Sequence, residues 1–304
     1  MNGKRMIAVL LIFGVFCIFS AQVFLVQAAP VTAGGSGRDP GDTFIALGAD
    51  LTEAEKDIVL GLFGLDETDL DVYRTITVTN QEEHQYLGAH LDRGVIGNRA
   101  LSSVVVTSRE EGYGIHVTTQ NISYCTVGMY QNALATAGVR DADIMVAGPF
   151  SISGTAALVG AIKSYEGLTG QVMDSEQIDA ANQELAVASQ LGQTLEDPAQ
   201  AEQLIGMIKN EVISSEHSRE EVRGIIDQTA AEMQISLTEE DKQKILDLMD
   251  QVKSLDLDVD ALKQQAANLY SRLQNVDLSV EKEQAEGFLE RLWEKLEGFI
   301  VALF

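Results

Sequence analysis

Two short stretches carry side chains whose types and spacing could do chemistry. In NQEEHQY (80–86), Glu82, Glu83 and His84 fall within one helical turn. An imidazole placed there could act as a general base, because its ordinary pKa lies near neutrality. In GPFSISGTAALVG (148–160), Ser151, Ser153 and Thr155 offer hydroxyls, and the backbone N–H groups of a Gly-rich helix start favour an anion. If the strands leading into these stretches are parallel neighbours, the two loops converge. His84 then meets Ser151 or Ser153 in one cleft, with Glu82, Glu83 and Thr155 as further ligand contacts. Each stretch also has a plainer reading. Asn80 with Glu83 makes a capping box, and Ser153 caps a helix whose small residues permit close packing on a sheet.

Neither stretch carries the marks of a familiar enzyme. No GK[ST] follows the glycines, so there is no P-loop. No G-x-S-x-G elbow holds a serine nucleophile. No catalytic residue is assigned on this basis, and no cofactor is expected.

Metal chemistry fares no better. His84 and His90 are six apart, off the i, i+4 spacing that sets two ligands on one helical face. The acidic run Asp66, Glu67, Asp69, Asp71 suits calcium in donor type. In DLDVD (256–260) the aspartates match the first, third and fifth positions of a calcium loop. Ala261 replaces its glycine, however, and Ala267 its bidentate glutamate. No metal ligand set is assigned, and a calcium response rests only on the surplus of carboxylates. Cys125 stands near a helix start, where the dipole favours thiolate, with His116 on the preceding strand. A buried, inert thiol is its plainer reading.

One more feature is suited to a partner. The helical stretch 280–304 puts Phe288, Leu292, Leu296 and Phe299 on one broad face, bordered by Trp293. Glutamates 286, 290, 294 and 297 outnumber Arg291 and Lys295 along it, which argues against a membrane-surface helix. Docking onto the rest of the chain, or self-association, is expected instead.

The elements that must position these residues fall into two parts. From 43 to 172, strand patterns (43–47, 71–80, 142–148) alternate with helical ones. LSSVVVTS (101–108) and YGIHVTTQ (113–120), joined by REEG, read as a hairpin. A mixed-sheet α/β sandwich follows. From 173 to 304 the strand signal vanishes. Val222, Ile226 and Thr229, then Ile245, Met249 and Val252, then Leu262, Ala266, Leu269 and Leu273 share helical faces, predicting a bundle of five or six helices. LTEAEKDIVL (51–60) resembles LTEEDKQKIL (237–246), and both read as capped helix starts with acidic first turns.

The N-terminus predicts the compartment. Lys4 and Arg5 precede an uncharged stretch from Met6 to Ala29, densest in apolar residues at 6–19, ending in small residues before Pro30. Residues 1–28 therefore read as a secretory signal peptide, and 29–42 as a flexible linker. An uncleaved anchor is the alternative, and it is the only membrane contact expected. The chain holds 21 Lys and Arg against 46 Asp and Glu, a net charge of −25. Without Lys4 and Arg5, 19 basic residues face 46 acidic ones, a net charge of −27. Nucleic-acid binding is excluded, since phosphates demand clustered cations. Cys17 leaves with the signal, so a single cysteine remains and no internal disulfide can form.

LGADLTEAEKDIVL (47–60), ITVTNQEEHQYLG (76–88) and MYQNALATAGVRDADIMVAGPFSISGTAALVG (129–160) resemble the secreted proteins of Gram-positive bacteria grouped as domain-of-unknown-function family 1002. The resemblance spans essentially the whole chain beyond the signal, and 129–160 is its most specific part. It implies secretion and a shared fold, and supplies no activity and no catalytic residues. The sequence as a whole predicts an extracellular or cell-envelope binding and interaction protein whose partner is an unidentified protein or envelope component. The alternatives are an envelope hydrolase or transferase, and a calcium-responsive envelope protein.

Overall fold

The computed structural model describes residues 41–255, together with Asp39 and Leu257. Residues 1–28, expected to be a signal peptide, the Leu262–Leu273 face and the 280–304 face lie outside the described residues.

Five strands form one mixed sheet: β1 (Thr43–Gly48), β2 (Arg74–Val78), β3 (Ser103–Ser108), β4 (Ile115–Ile122) and β5 (Ala142–Ile152), in the order β2-β1-β3-β5-β4. β1 runs parallel to β2, and β4 parallel to β5. β3 sits between β1 and β5, antiparallel to both. Two strand–helix–strand units thus flank one central strand: β1 and β2 joined through α1 (Glu53–Phe63), β4 and β5 through α4 (Val127–Thr136). Four strands therefore end on the same edge of the sheet, and β3 begins there.

The sheet is mixed as expected, but the expected hairpin of 101–108 with 113–120 does not form. β3 is buried along almost its whole length and needs a ladder partner on each side. β5, with Ala142, Ile144, Val146 and Ala147 buried, fills the inner position. β4 exposes Thr118 and Gln120 and takes the edge. Asp141 enforces this order. Its carbonyl accepts the Arg109 N–H at 2.7 Å and its carboxylate the Gly114 N–H at 2.8 Å, turning 109–114 past β5 rather than into a tight hairpin.

The faces of the sheet follow the two-residue period. Ile45, Leu47, Val105 and Ala147 pack against Val59, Leu60 and Phe63 of α1. Each of these valine, leucine, isoleucine and phenylalanine side chains contributes about 1.5–3 kcal/mol by leaving water. Ala46, Val78, Val104, Ile144 and Val146 face the larger core beneath α5 (Thr155–Thr169) and α4. Gly160 lets α5 lie close, since a Cβ there would stand 3.0 Å from both Ala46 Cβ and Val104 Cγ1.

After the 170–174 connector come four helices among the described residues: α6 (Ser175–Leu195), α7 (Pro198–Ser214), α8 (Arg219–Glu232) and α9 (Glu239–Ser254). The expected faces of α8 and α9 are the buried ones. Both resemblant segments start helices through capping boxes, Thr52 with Glu55 and Thr238 with Asp241. The fold is α+β, a mixed-sheet N-terminal part followed by a helical one, and the core runs without a break from the sheet through α4 into α6, α7, α8 and α9. None of the helices among the described residues is long and apolar enough to cross a membrane.

A buried ion pair ties α4 to α6 and α7. Lys209 Nζ lies 2.7 Å from Glu184 Oε1, with 3% and 1% of the two side chains exposed. That contact is oblique, so Oε1 gains charge neutralisation without a hydrogen bond. The ammonium donates instead to Thr136 Oγ1 (2.9 Å) and to the Asn132 carbonyl (3.0 Å). Thr136 donates to Glu184 Oε2 at 2.5 Å.

Candidate functional site

The edge where four strands end carries an open cleft of about 550 Å³. One wall is the 94–102 segment ahead of β3, including α3 (Arg93–Ile96). The other joins Ser123 and Tyr124, beyond β4, to Ser151–Gly154, where β5 passes into α5. Glu83 reaches it from α2 (Asn80–Leu87). Ligands favour such a position in sheets with parallel strands, because loops there are free of the ladder.

Local sequence builds each wall. Asn121 adopts a left-handed φ of 59° and bulges β4, and its side-chain amide donates to the Gly148 carbonyl at 3.0 Å. Ladder pairing resumes with Ile122 opposite Ile152. The bulge turns Ser123 and Tyr124 toward the cleft. The Ser123 N–H then bonds the Ile152 carbonyl (2.8 Å), and the Cys125 N–H the Ser153 carbonyl (3.1 Å). Gly154, at φ +95°, starts α5 in a conformation that side chains resist. Tyr130 donates its hydroxyl to the Gly154 carbonyl at 2.6 Å. On the opposite wall, Asp50 accepts the Ala100 N–H at 2.8 Å, and Arg99 bonds the Asp50 carbonyl (2.8 Å) and Glu55 (2.5 Å).

The two loops singled out by sequence do meet, through Glu83 rather than His84. β2 and β5 are not neighbours. Two strands separate them, so their ends lie about 14 Å apart at the usual strand spacing. α5 packs across β1, β2 and β3 and against α2, which closes the distance. Thr155 Oγ1 donates to Glu83 Oε1 at 2.5 Å, and Ser153 Oγ lies 3.2 Å from Thr155 Oγ1. With Glu83 ionised the hydroxyls line up as a relay, Ser153 donating to Thr155 and Thr155 to the carboxylate. Asn80 Nδ2 donates to the other carboxylate oxygen at 3.2 Å. Burial pushes the Glu83 carboxyl above its ordinary range, overcoming the hydrogen bonds from Thr155 and Asn80.

His84 faces elsewhere. Its Nε2 lies 3.0 Å from the Gly97 carbonyl, which can only accept, so Nε2 carries the proton. The ring braces the 93–97 turn and does not line the cleft. Ser151 lines the cleft and is exposed. Asn80 does not cap α2. Thr79 does, with Glu82 completing the box: the Glu82 N–H bonds Thr79 Oγ1 (3.2 Å), and the Thr79 N–H bonds Glu82 Oε2 (2.8 Å). Lys163 of α5 pairs with Glu82 and holds its carboxyl down at about 2. Ser153 is not the helix cap either, since Gly154 holds that place.

The remaining candidates disperse. His90 pairs with Asp179 at 2.8 Å, and His217 meets Ser215. His116 stacks on Tyr113, at the opposite end of β4 from Cys125. Burial pushes the Cys125 thiol up to about 12, so it stays protonated. In the acidic run Asp66 caps the 67–71 turn, and Glu67 pairs with Lys56 at 2.7 Å. Among the described residues, no group of three His, Cys, Asp or Glu side chains could hold a metal ion. Phe288, Leu292, Trp293, Leu296 and Phe299 lie outside the described residues, as do Asp256, Asp258 and Asp260 of the partial calcium loop. Sequence reasoning missed Tyr124, Ser102 and Arg99 at the cleft. The one available signal was the Gly-rich approach to β3, GVIGNRALSS (94–103).

A five-stranded mixed sheet, a helical part sharing its core, and a hydroxyl-lined cleft at the strand ends define the class. The chain belongs to the family of proteins of unknown function DUF1002, whose model matches residues 47–269 and so takes in the whole cleft. It is 34% identical over 278 residues to the uncharacterised protein YpuA of Bacillus subtilis (strain 168), which covers 90% of this chain and 92% of YpuA. No solved structure matches the chain significantly.

Proposed function

We propose that this is a non-catalytic binding protein of the cell exterior or envelope, and that it holds a small polar ligand in the cleft at the strand ends. The cleft itself carries the reading. Its size suits a small molecule, its walls mix apolar side chains with the hydroxyls of Ser123, Tyr124, Ser151 and Ser153, and a buried carboxyl converges on it. Export is supported by the basic, apolar and small-residue order of residues 1–28.

Thermal melting of the protein purified from its producing cells, against sugars, amino acids, amines and short peptides, tests the cleft. Ligands that raise the melting temperature should lose their effect in Ser151→Trp, which fills the cleft from an exposed position. Shifts that survive this change, or a panel with no shift, overturn the cleft as the binding site. Fractionation of the same cells should find the protein outside the cytoplasm, and a cytoplasmic pool alone overturns export.

One observation favours a second reading, an envelope hydrolase or transferase. A carboxyl raised by burial beside two linked hydroxyls is a familiar arrangement for proton transfer. In that case Glu83→Gln abolishes turnover of an envelope substrate that the wild-type protein consumes. His84 takes no part in it.

A further inference from the structure

We infer that the cleft selects an organic cation, a primary ammonium or guanidinium, which completes an ion pair with the Glu83 carboxylate. The inference rests on the cleft being a ligand site and adds the chemistry of what enters it.

Among the described residues two glutamates are fully buried, and the fold treats them differently. Glu184 is given Lys209 as a built-in counter-ion. Glu83, also 1% exposed, is given two neutral donors, Thr155 and Asn80, and no lysine or arginine pairs with it among the described residues. An ionised carboxylate held that way is costly unless a cation joins it. Unlike Glu184, Glu83 borders open space through which a cation can arrive.

Charges around the cleft favour that sign. Arg99 is spent on Glu55 and the Asp50 carbonyl, and Lys163 on Glu82. Asp50 adds a further negative charge that Glu83 senses. The opposing group is His84 on the same helix, which lowers the Glu83 carboxyl only weakly. Cys125 and Tyr130, packed nearby, are both held in their neutral forms by burial. An anion would find no unspent lysine or arginine among the residues that line the cleft; Arg93, exposed on α3, does not line it. A bare metal ion would find one carboxylate where it needs several ligands. The apolar part of the walls (Val95, Ile96, Leu101, Ile152) suits the short carbon chain of an alkylamine.

Because burial keeps the empty carboxyl protonated to higher pH than usual, an arriving cation expels its proton. Binding and proton release are therefore coupled. Isothermal titration of the full chain with agmatine and n-butylamine, against 1-butanol and butyrate, reads both. Each titration is run in phosphate and in MOPS at pH 5.5 and 7.5. The amines should bind at one site at least tenfold more tightly than butanol, more weakly at pH 5.5, and with more proton release there. Glu83→Gln should lose at least tenfold in amine affinity and all of the proton release while melting no lower than the wild-type protein. Equal binding of amines and alcohol, or full amine affinity in Glu83→Gln, overturns the inference. If neutral ligands bind and Ser151→Trp abolishes them while amines do not bind, only the cation falls. If nothing binds at the cleft, the reading beneath it falls as well.

Discussion

Replacing Lys209 with methionine tests whether the sheet and the helical part are joined as the structure has them. The substitution keeps the aliphatic stem of a side chain that is 3% exposed and removes its charge. Glu184 is then left 1% exposed, with Thr136 as its one hydrogen-bond donor. Breaking a buried pair in this way costs about 3–5 kcal/mol, because the remaining carboxylate is uncompensated. Two carbonyl and hydroxyl acceptors, at Asn132 and Thr136, also lose their donor. Against a total stability of roughly 5–15 kcal/mol, that is a large fraction. With a urea m-value of about 3 kcal/mol/M, the midpoint should fall by about 1–1.7 M.

The paired change Lys209→Met with Glu184→Leu separates charge from packing. Both charges are now gone, and apolar replacement of a whole buried pair is typically neutral or stabilising by about 1–4 kcal/mol. Thr136 can still donate to the Asn132 carbonyl, 3.1 Å away. The double variant should therefore regain most of the stability that the single change loses. Urea unfolding followed by far-UV circular dichroism gives all three values. A single variant costing under about 1 kcal/mol, or a double variant no better than the single, refutes the pair as a desolvated bond between α4, α6 and α7.

Glu82 and Glu83 should bend the pH–stability curve in opposite directions. Glu82 falls from 4.5 to about 2 on folding, chiefly through Lys163, so its contribution is present above pH 4.5 and lost toward pH 2; Glu82→Gln flattens that acid limb in urea titrations. The folded Glu83 holds its proton to higher pH than the unfolded chain does, so its penalty grows as pH rises above 4.5; Glu83→Gln should gain stability at pH 7–8 and show no gain below pH 4. Gly154→Ala puts a Cβ 2.5 Å from the Tyr130 hydroxyl at a φ of +95°, and thermal unfolding should show a loss of about 1–3 kcal/mol. Cys125 should resist Ellman's reagent in the native protein and react fully in urea, and rapid native labelling would contradict its burial. Millimolar calcium should leave the melting temperature unchanged, because Asp66 and Glu67 are already committed to a cap and an ion pair.

The fold was legible wherever one local rule decided the matter. Alternation marked β2, the capping boxes marked α1 and α9, and the 3.6-residue period marked the buried faces of α8 and α9. Strand order was not, because it depends on which strand needs two partners. LSSVVVTS and YGIHVTTQ lie a few residues apart with a turn between them, and locally a hairpin costs least. What defeats it is non-local: β3 is buried on both sides, β5 is the more apolar partner, and Asp141 grips the intervening turn from the far end. None of those contacts exists in a window of ten residues.

At the candidate site the error was a single residue, and it moved the chemistry. Starting α2 from Asn80 makes Glu83 the capping glutamate and presents His84 as the reactive group. The helix starts from Thr79, so Glu82 takes the cap. One position is 100° around a helix, which turns Glu83 from solvent into the protein, where it is 1% exposed. Sequence could not separate the two because both registers satisfy the capping pattern: Asn80 and Thr79 are each good caps, and a glutamate stands three residues after either. The tie is broken by what lies beyond the helix. Lys163 waits on α5 for a solvent-side glutamate, and Thr155 offers a hydroxyl to a buried one. Only the second register satisfies both. The same contacts that fix the register leave Glu83 facing the cleft with no cation of its own, so the choice of helix start and the proposed ligand chemistry follow from one arrangement of α2 against α5.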